Sequence, residues 1–247
     1  KEKISKLTKE EQRRRDLYLR GLVTGEIEGP MTGYASIDKP WLKCFDKEKI
    51  VEDVPDCSIY QYAYNSNKEN LDKVALDVRF SKNSFKKGIK ITYRDFFKNV
   101  KKCVRGLLYL KVQKDEIIPI ILPNLPEARY LIYACNYIGA IAYPISPLLP
   151  ANELDRIIKE NKIMTAFVFT GFYQKYSEVL YSNGVLSISV NGSESLPTFL
   201  RILTDNVPSK SSKSYDTFIN IGKKYKEPLQ PVYSENHIAA IIGTSGT

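Results

Sequence analysis

The residues best suited to chemistry stand at the end of the chain, where Gly243-Thr244-Ser245-Gly246-Thr247 follows the apolar run Ile238–Ile242. Glycine lets backbone N–H groups approach an anion closely, and hydroxyls add donors, so Thr244, Ser245, Gly246 and Thr247 are candidates to cradle a polyphosphate. The G-x-x-x-x-G-K-[ST] spacing of a Walker loop is absent. Taken alone, four small residues at a chain end are more often an ordinary turn or a frayed terminus. The single histidine, His237, precedes the apolar run, and its position reads as a surface strand start rather than a base. The cysteines Cys44, Cys57, Cys103 and Cys135 form no C-x-x-C pair and match no zinc spacing, which points to free buried thiols in a reducing compartment. Cys135 lies among Ala128, Leu131, Ile132 and Ile138, where packing outranks nucleophilic chemistry. No residue set suggests a bound metal.

Positioning such a loop requires a framework, and the pattern supplies one. Thr8-Lys9-Glu10-Glu11 has the form of a capping box for a helix reaching about Gly21, and Gly29 to Pro55 reads as irregular and extended. In that segment Trp41, between Pro40 and Leu42, reads as a packing anchor. Tyr60 to Asn70 reads as a helix. Val74–Phe80 and Ile89–Ile91 read as a hairpin around a turn at Ser81–Gly88. From Thr92 a helix carries Tyr93, Phe96, Phe97, Val100, Val104, Leu107 and Leu108 as one apolar stripe, with Lys98, Lys101, Lys102 and Arg105 facing away.

Strands and helices then alternate. Strands are expected at Ile117–Leu122, Ile141–Ile145, Thr165–Phe169, Leu186–Val190 and Ile238–Ile242. Helices are expected at Pro126 or Glu127 to Gly139, Asn152–Asn161, Phe172–Ser182, Leu196–Leu203 and Tyr215–Lys226, with a Ser/Lys-rich loop over Pro208–Ser214. This order implies an α/β fold with a helix-flanked, largely parallel sheet, whose ligands bind beyond the carboxyl ends of the strands. The division expected is an N-terminal helix and extended segment over residues 1–55 packing on an α/β portion over 56–247.

Bulk properties narrow the class. The 247 residues are 43% hydrophobic and 26% charged, an ordinary globular composition able to bury a sizeable core. The charged N-terminus leads into no apolar signal core. Tyr130–Leu149 is apolar enough to suggest a membrane span, but Asn136, Gly139, Pro144 and Pro147 punctuate it, and a buried helix followed by a buried strand fits better. A net charge of +9 favours anions in general. The lysines are scattered, and no zinc-finger spacing or RNP-like motif supports nucleic acid.

Several short segments, in order, resemble the adenylate-forming (AMP-binding) superfamily of acyl-CoA synthetases, peptide-synthetase adenylation domains and luciferases. Ile241-Ile242-Gly243-Thr244-Ser245-Gly246-Thr247 resembles the first half of its T-S-G-T-T-G-x-P-K-G loop. Thr92-Tyr93-Arg94-Asp95-Phe96 resembles T-Y-x-E-L, Leu122-Pro123-Asn124-Leu125-Pro126-Glu127 resembles L-P-N-x-P-E, and Gly139-Ala140-Ile141-Ala142-Tyr143-Pro144 resembles G-A-x-x-x-P. Thr32–Lys43 is similar to openings of bacterial acyl-CoA synthetase-like proteins. Two departures stand out. Gly243 replaces a larger, often aromatic residue, and Pro119 interrupts a strand, which argues for an edge or bulged position.

The resemblance implies the N-terminal part of the large domain of an acyl-CoA synthetase, long-chain fatty-acid type, with ATP, Mg2+ and coenzyme A as substrates and cofactors and a small carboxylate as partner. It implies ATP phosphate binding by Thr244, Ser245, Gly246 and Thr247, catalytic residues beyond Thr247, and no adenylate formation by this chain alone. A cytoplasmic location without transmembrane segment or nucleic acid goes with it, and peripheral membrane contact is compatible with a fatty-acid substrate. A peptide-synthetase adenylation domain and a non-catalytic nucleotide- or nucleic-acid-binding module are the alternatives.

Overall fold

The computed structural model describes residues 55–78, 89–191, 212–234 and 236–243. The chain divides into two compact units, Lys1–Pro55 and Asp56–Thr247, and all described residues but Pro55 belong to the second. The helices expected at 8–21 and 196–203, Trp41 and its segment, and the turn at 81–88 lie outside the described residues.

Helix α1 (Ile59–Asn67) opens on a capping box. Ser58 accepts from the Gln61 amide, and the Gln61 side chain accepts from the Ser58 amide. A 3-10 turn, Lys68–Asn70, replaces its expected last turn. Strands β1 (Val74–Val78) and β2 (Ile89–Thr92) pair antiparallel, as the expected hairpin requires. Thr92 then caps α2 (Tyr93–Tyr109) by accepting from the Asp95 amide at 3.2 Å.

The remaining elements build the sheet: β3 (Ile117–Ile121), α3 (Pro126–Ile138), β4 (Ile141–Pro144), α4 (Ala151–Asn161), β5 (Thr165–Phe169), α5 (Thr170–Ser182), β6 (Leu186–Val190), β7 (Lys213–Ser214) and α6 (Tyr215–Gly222). The five strands are parallel in the order β4-β3-β5-β6-β7. Residues 239–241 extend the sheet beyond β4, because Ala142 donates to Ala239 and Ile241 donates to Ala142. The strand expected at 238–242 is thus one bridge long here. The loop expected over 208–214 ends in β7.

Alternation along each strand divides the core between two faces. Ile118, Ile120, Phe167, Ile188 and Val190 pack with α2, α3 and α6. Ile121, Ala166, Val168 and Val185 pack with α4 and α5. The apolar stripe of α2 is buried as expected at Phe96, Phe97, Val100, Val104 and Leu107. Tyr93 and Leu108 are half-buried at its margins. The span Tyr130–Leu149 resolves into α3 and β4, separated by Gly139 in the left-handed region at φ 75. No helix among the described residues is long and apolar enough to cross a membrane.

Pro119 overturns one expectation. It sits in β3, an interior strand paired to β4 on one side and β5 on the other. Glu116 and Ile120 accept from β4-side amides, so by alternation Pro119 turns its nitrogen toward β5. The β3–β5 ladder begins only at Ile120, so the proline stands just before the first rung and costs the sheet one bond at the start of that ladder.

Candidate functional site

The crossover after β3 leads to β4 on one side, and the crossover after β4 returns past β3 to β5 on the other. The switch point therefore lies between the carboxyl ends of β3 and β5, where open parallel sheets receive ligands. Three helices begin at this edge. α3, α4 and α5 all lack a side-chain hydrogen bond at the N-cap. By contrast α1, α2 and α6 are capped by Ser58, Thr92 and Ser214. Unfilled amides at helix starts favour negative charge. At α3 the buried first-turn carboxylate Glu127 supplies it from within the chain, at α4 Glu153 does, and α5 has no first-turn acid.

The loops at this edge are tied down by named bonds. The buried Tyr176 places its hydroxyl 2.8 Å from the Pro147 carbonyl and 2.7 Å from that of Leu149. The ammonium of Lys175 lies over the Tyr176 ring at 4.9 Å. Thr170 donates to the Val190 carbonyl across 3.2 Å, joining the ends of β5 and β6. Arg129 reaches back to Asn124 at 2.7 Å, fixing the turn after β3. Leu148 stays 78% exposed among these anchored neighbours.

The residues expected to hold phosphate, Thr244, Ser245, Gly246 and Thr247, lie outside the described residues. The chain is described up to Gly243, which stands beyond the bridge at Ala240 on the side of the carboxyl edge. A Cβ added at Gly243 would meet nothing within 4 Å. The glycine is therefore not forced by crowding among the described residues.

Titratable groups separate packing from chemistry. Burial pushes the Cys103 thiol up to about 12 although it shares a 3.1 Å hydrogen bond with the Tyr215 hydroxyl. Burial raises Cys135 further, and both side chains have no exposed surface. Neither is a thiolate nucleophile at neutral pH. Burial also raises Tyr130, to about 12, and Tyr215 well above the phenol range. Among the described residues no group of three or more His, Cys, Asp or Glu could hold a metal ion, so none is assigned to Mg2+.

His237 corrects the reading of a surface residue. Its side chain is only 5% exposed, and Nδ1 lies 2.9 Å from Asp115 Oδ1. The pair sits at the amino edge of the sheet, opposite the edge at which parallel sheets receive ligands. Sequence reasoning missed Asp115 because nothing local links two residues so far apart in the chain.

The sequence model of the AMP-binding enzyme family matches residues 63–247. The acetyl-coenzyme A synthetase of Dictyostelium discoideum is 42% identical over 74 residues, covering 30% of this chain and 11% of that protein. The mitochondrial acyl-CoA synthetase short-chain family member 3 of Bos taurus is 29% identical over 160 residues, covering 64% of this chain and 23% of that protein. The chain thus spans a quarter or less of these relatives. A long-chain-fatty-acid-CoA ligase from Archaeoglobus fulgidus superposes with TM-score 0.61 at 20% identity, over 79% of this chain and 36% of that one. An anthranilate CoA ligase superposes with TM-score 0.56 at 17% identity, over 74% of this chain and 31% of that one. At these identities the likeness is one of fold.

Proposed function

Because the chain belongs to the AMP-binding enzyme family, we propose that it is part of the large domain of an ATP-dependent acid–thiol ligase. A substrate carboxylate oxygen attacks the α-phosphorus of ATP, the P–O bond to pyrophosphate breaks, and an acyl-adenylate results. A thiol, that of coenzyme A, then attacks the acyl carbon, loses its proton and displaces AMP. Within the carboxylate class a fatty acid is the acyl donor we favour, in a reaction carried out in the cytoplasm.

In this reading Thr244, Ser245, Gly246 and Thr247 hold the β- and γ-phosphates. Backbone N–H groups and hydroxyls aimed at the leaving pyrophosphate stabilise the charge that grows on it. The observation that carries the reading is the parallel bridge between Ala142 and Ala240. It sets residues 239–241 in the sheet with their carboxyl end toward the edge where α5 starts with neither a side-chain cap nor a first-turn acid, which supports the reading.

ATP–pyrophosphate exchange in the full-length ligase, screened over carboxylates of graded chain length, tests this. Exchange with at least one carboxylate is expected, and Ser245→Ala should lower its kcat/KM by about 10- to 1,000-fold. The 247-residue chain alone should give none. A full-length protein silent with every carboxylate, or indifferent to Ser245→Ala, would overturn the reading.

A further inference from the structure

Three neighbouring strands begin side by side at the amino edge of the sheet. β3 follows Asp115, β4 follows Gly139, and the bridged segment 239–241 follows His237. Two hydrogen bonds join those three starting points. His237 Nδ1 meets Asp115 Oδ1 at 2.9 Å, and the Asp115 amide donates to the Gly139 carbonyl at 2.7 Å. An ionised carboxylate can only accept, so Nδ1 carries the proton. Asp115 takes the left-handed region at φ 64, which aspartate tolerates better than most residues.

The other ring nitrogen, His237 Nε2, is buried without a hydrogen-bond partner among the described residues. An apolar side chain would fill the same space without leaving an acceptor unsatisfied. The imidazole is therefore explained by its bond to Asp115, not by packing. That bond also has little company. From residue 236 to 243, no other side chain among the described residues makes a hydrogen bond. Ile238 and Ile242 are 56% and 75% exposed, so burial holds the segment weakly. What remains is the pair of backbone bonds to Ala142 and the turn bond from the His237 amide to Ser234.

We propose that His237, held by Asp115, is a positioning residue for the phosphate-binding loop. The clamp fixes how far residues 238–243 run along β4, and a strand transmits that register at about 3.3 Å per residue to its opposite end. A slip at the amino edge shifts the point from which the chain continues past Gly243, and a displacement of about 1 Å is costly to positioning. The inference rests on the assignment of Thr244–Thr247 to phosphate.

Two measurements test it, and the first does not depend on ATP. Amide hydrogen exchange is followed at Ile241 in wild type, His237→Ala, His237→Asn and Asp115→Ala. Exchange should quicken about 10-fold or more in both alanine variants and stay near wild type in His237→Asn, whose amide nitrogen can stand in for Nδ1. The double alanine variant should add nothing further, since both changes remove one interaction. ATP–pyrophosphate exchange in the full-length ligase is the second measurement. KM for ATP should rise about 10-fold in His237→Ala while KM for the carboxylate stays unchanged, with recovery in His237→Asn. Unaltered amide exchange overturns the clamp and leaves the proposed reaction untouched. Faster amide exchange with unaltered KM for ATP overturns the positioning role. A wild-type ligase without exchange activity overturns the reaction, and the positioning role with it.

Discussion

At the residue scale, two of the described glycines, Gly106 and Gly222, make a close helix–helix fit. A Cβ on Gly222 would fall 2.7 Å from Gly106 N and 2.9 Å from Gly106 Cα, and a Cβ on Gly106 would strike the buried ring of Phe218. Backbone atoms cannot swing aside as a side-chain tip can, so α2 and α6 would have to part. Gly222→Ala should therefore destabilise by about 2 kcal/mol, in the range of overpacked cores. Thermal unfolding should show it as a fall of about 4–8 °C in Tm. Neither glycine stands out in the sequence, because the demand for it comes from a helix more than a hundred residues away. His237 teaches the same lesson from the polar side. A lone histidine before an apolar run reads as exposed, and only the fold brings Asp115 beneath it.

At the element scale much was legible. The strands at 165–169 and 186–190 were expected to the residue, since apolar, β-branched and aromatic residues crowd into short runs bounded by turns. Helix α2 declared itself by its stripe and by Thr92. Removing that cap by Thr92→Ala strands amides of the first turn and should cost about 1 kcal/mol. Urea unfolding would register the loss as a lower midpoint at unchanged slope. Helix ends were less legible. α6 stops at Gly222 instead of Lys226, and Arg105, expected to face away, bends back to the Tyr225 carbonyl just past that end. Pro119 misled because the pattern of one strand does not reveal where the ladder to its neighbour begins. The proposed phosphate loop rests on the sequence alone, since Thr244–Thr247 lie outside the described residues.

At the scale of the whole molecule, the two faces of the sheet differ in charge. Over residues 151–182, covering α4 and α5, four cations (Arg156, Lys159, Lys162, Lys175) meet four anions (Glu153, Asp155, Glu160, Glu178). Several pair directly, as Arg156 does with Glu153 and Lys159 with Asp155. Hydrogen bonds from Lys159 and Asn183 hold the Asp155 carboxyl below its usual range. On the other face α2 presents exposed Lys98, Lys101 and Lys102 against the single acid Asp95. Beneath that basic layer lie neutral thiols and phenols, and they set the alkaline limit of the fold. Cys103 and Tyr130 hold their protons to about 12 when folded, whereas an unfolded chain releases them near 8.5 and 10. The unfolded state thus loses protons first, so stability is intact only below about pH 8 and declines as pH rises through the unfolded thiol range toward 12. Urea midpoints should be flat from pH 7 to about 8 and then fall. A midpoint steady to pH 11 would contradict the burial of these groups.

The docking of α6 on α2 also has a consequence in time. The partners are separated by about a hundred residues of chain, from Tyr109 to Tyr215. At a synthesis rate of roughly 5–20 residues per second, α2 leaves the ribosome about 5–20 s before α6 does. Throughout that interval the groove floored by Gly106, and the apolar ridge beside it, have no cover. Among the described helices α6 is the last to be made, and it is the one that seals this surface.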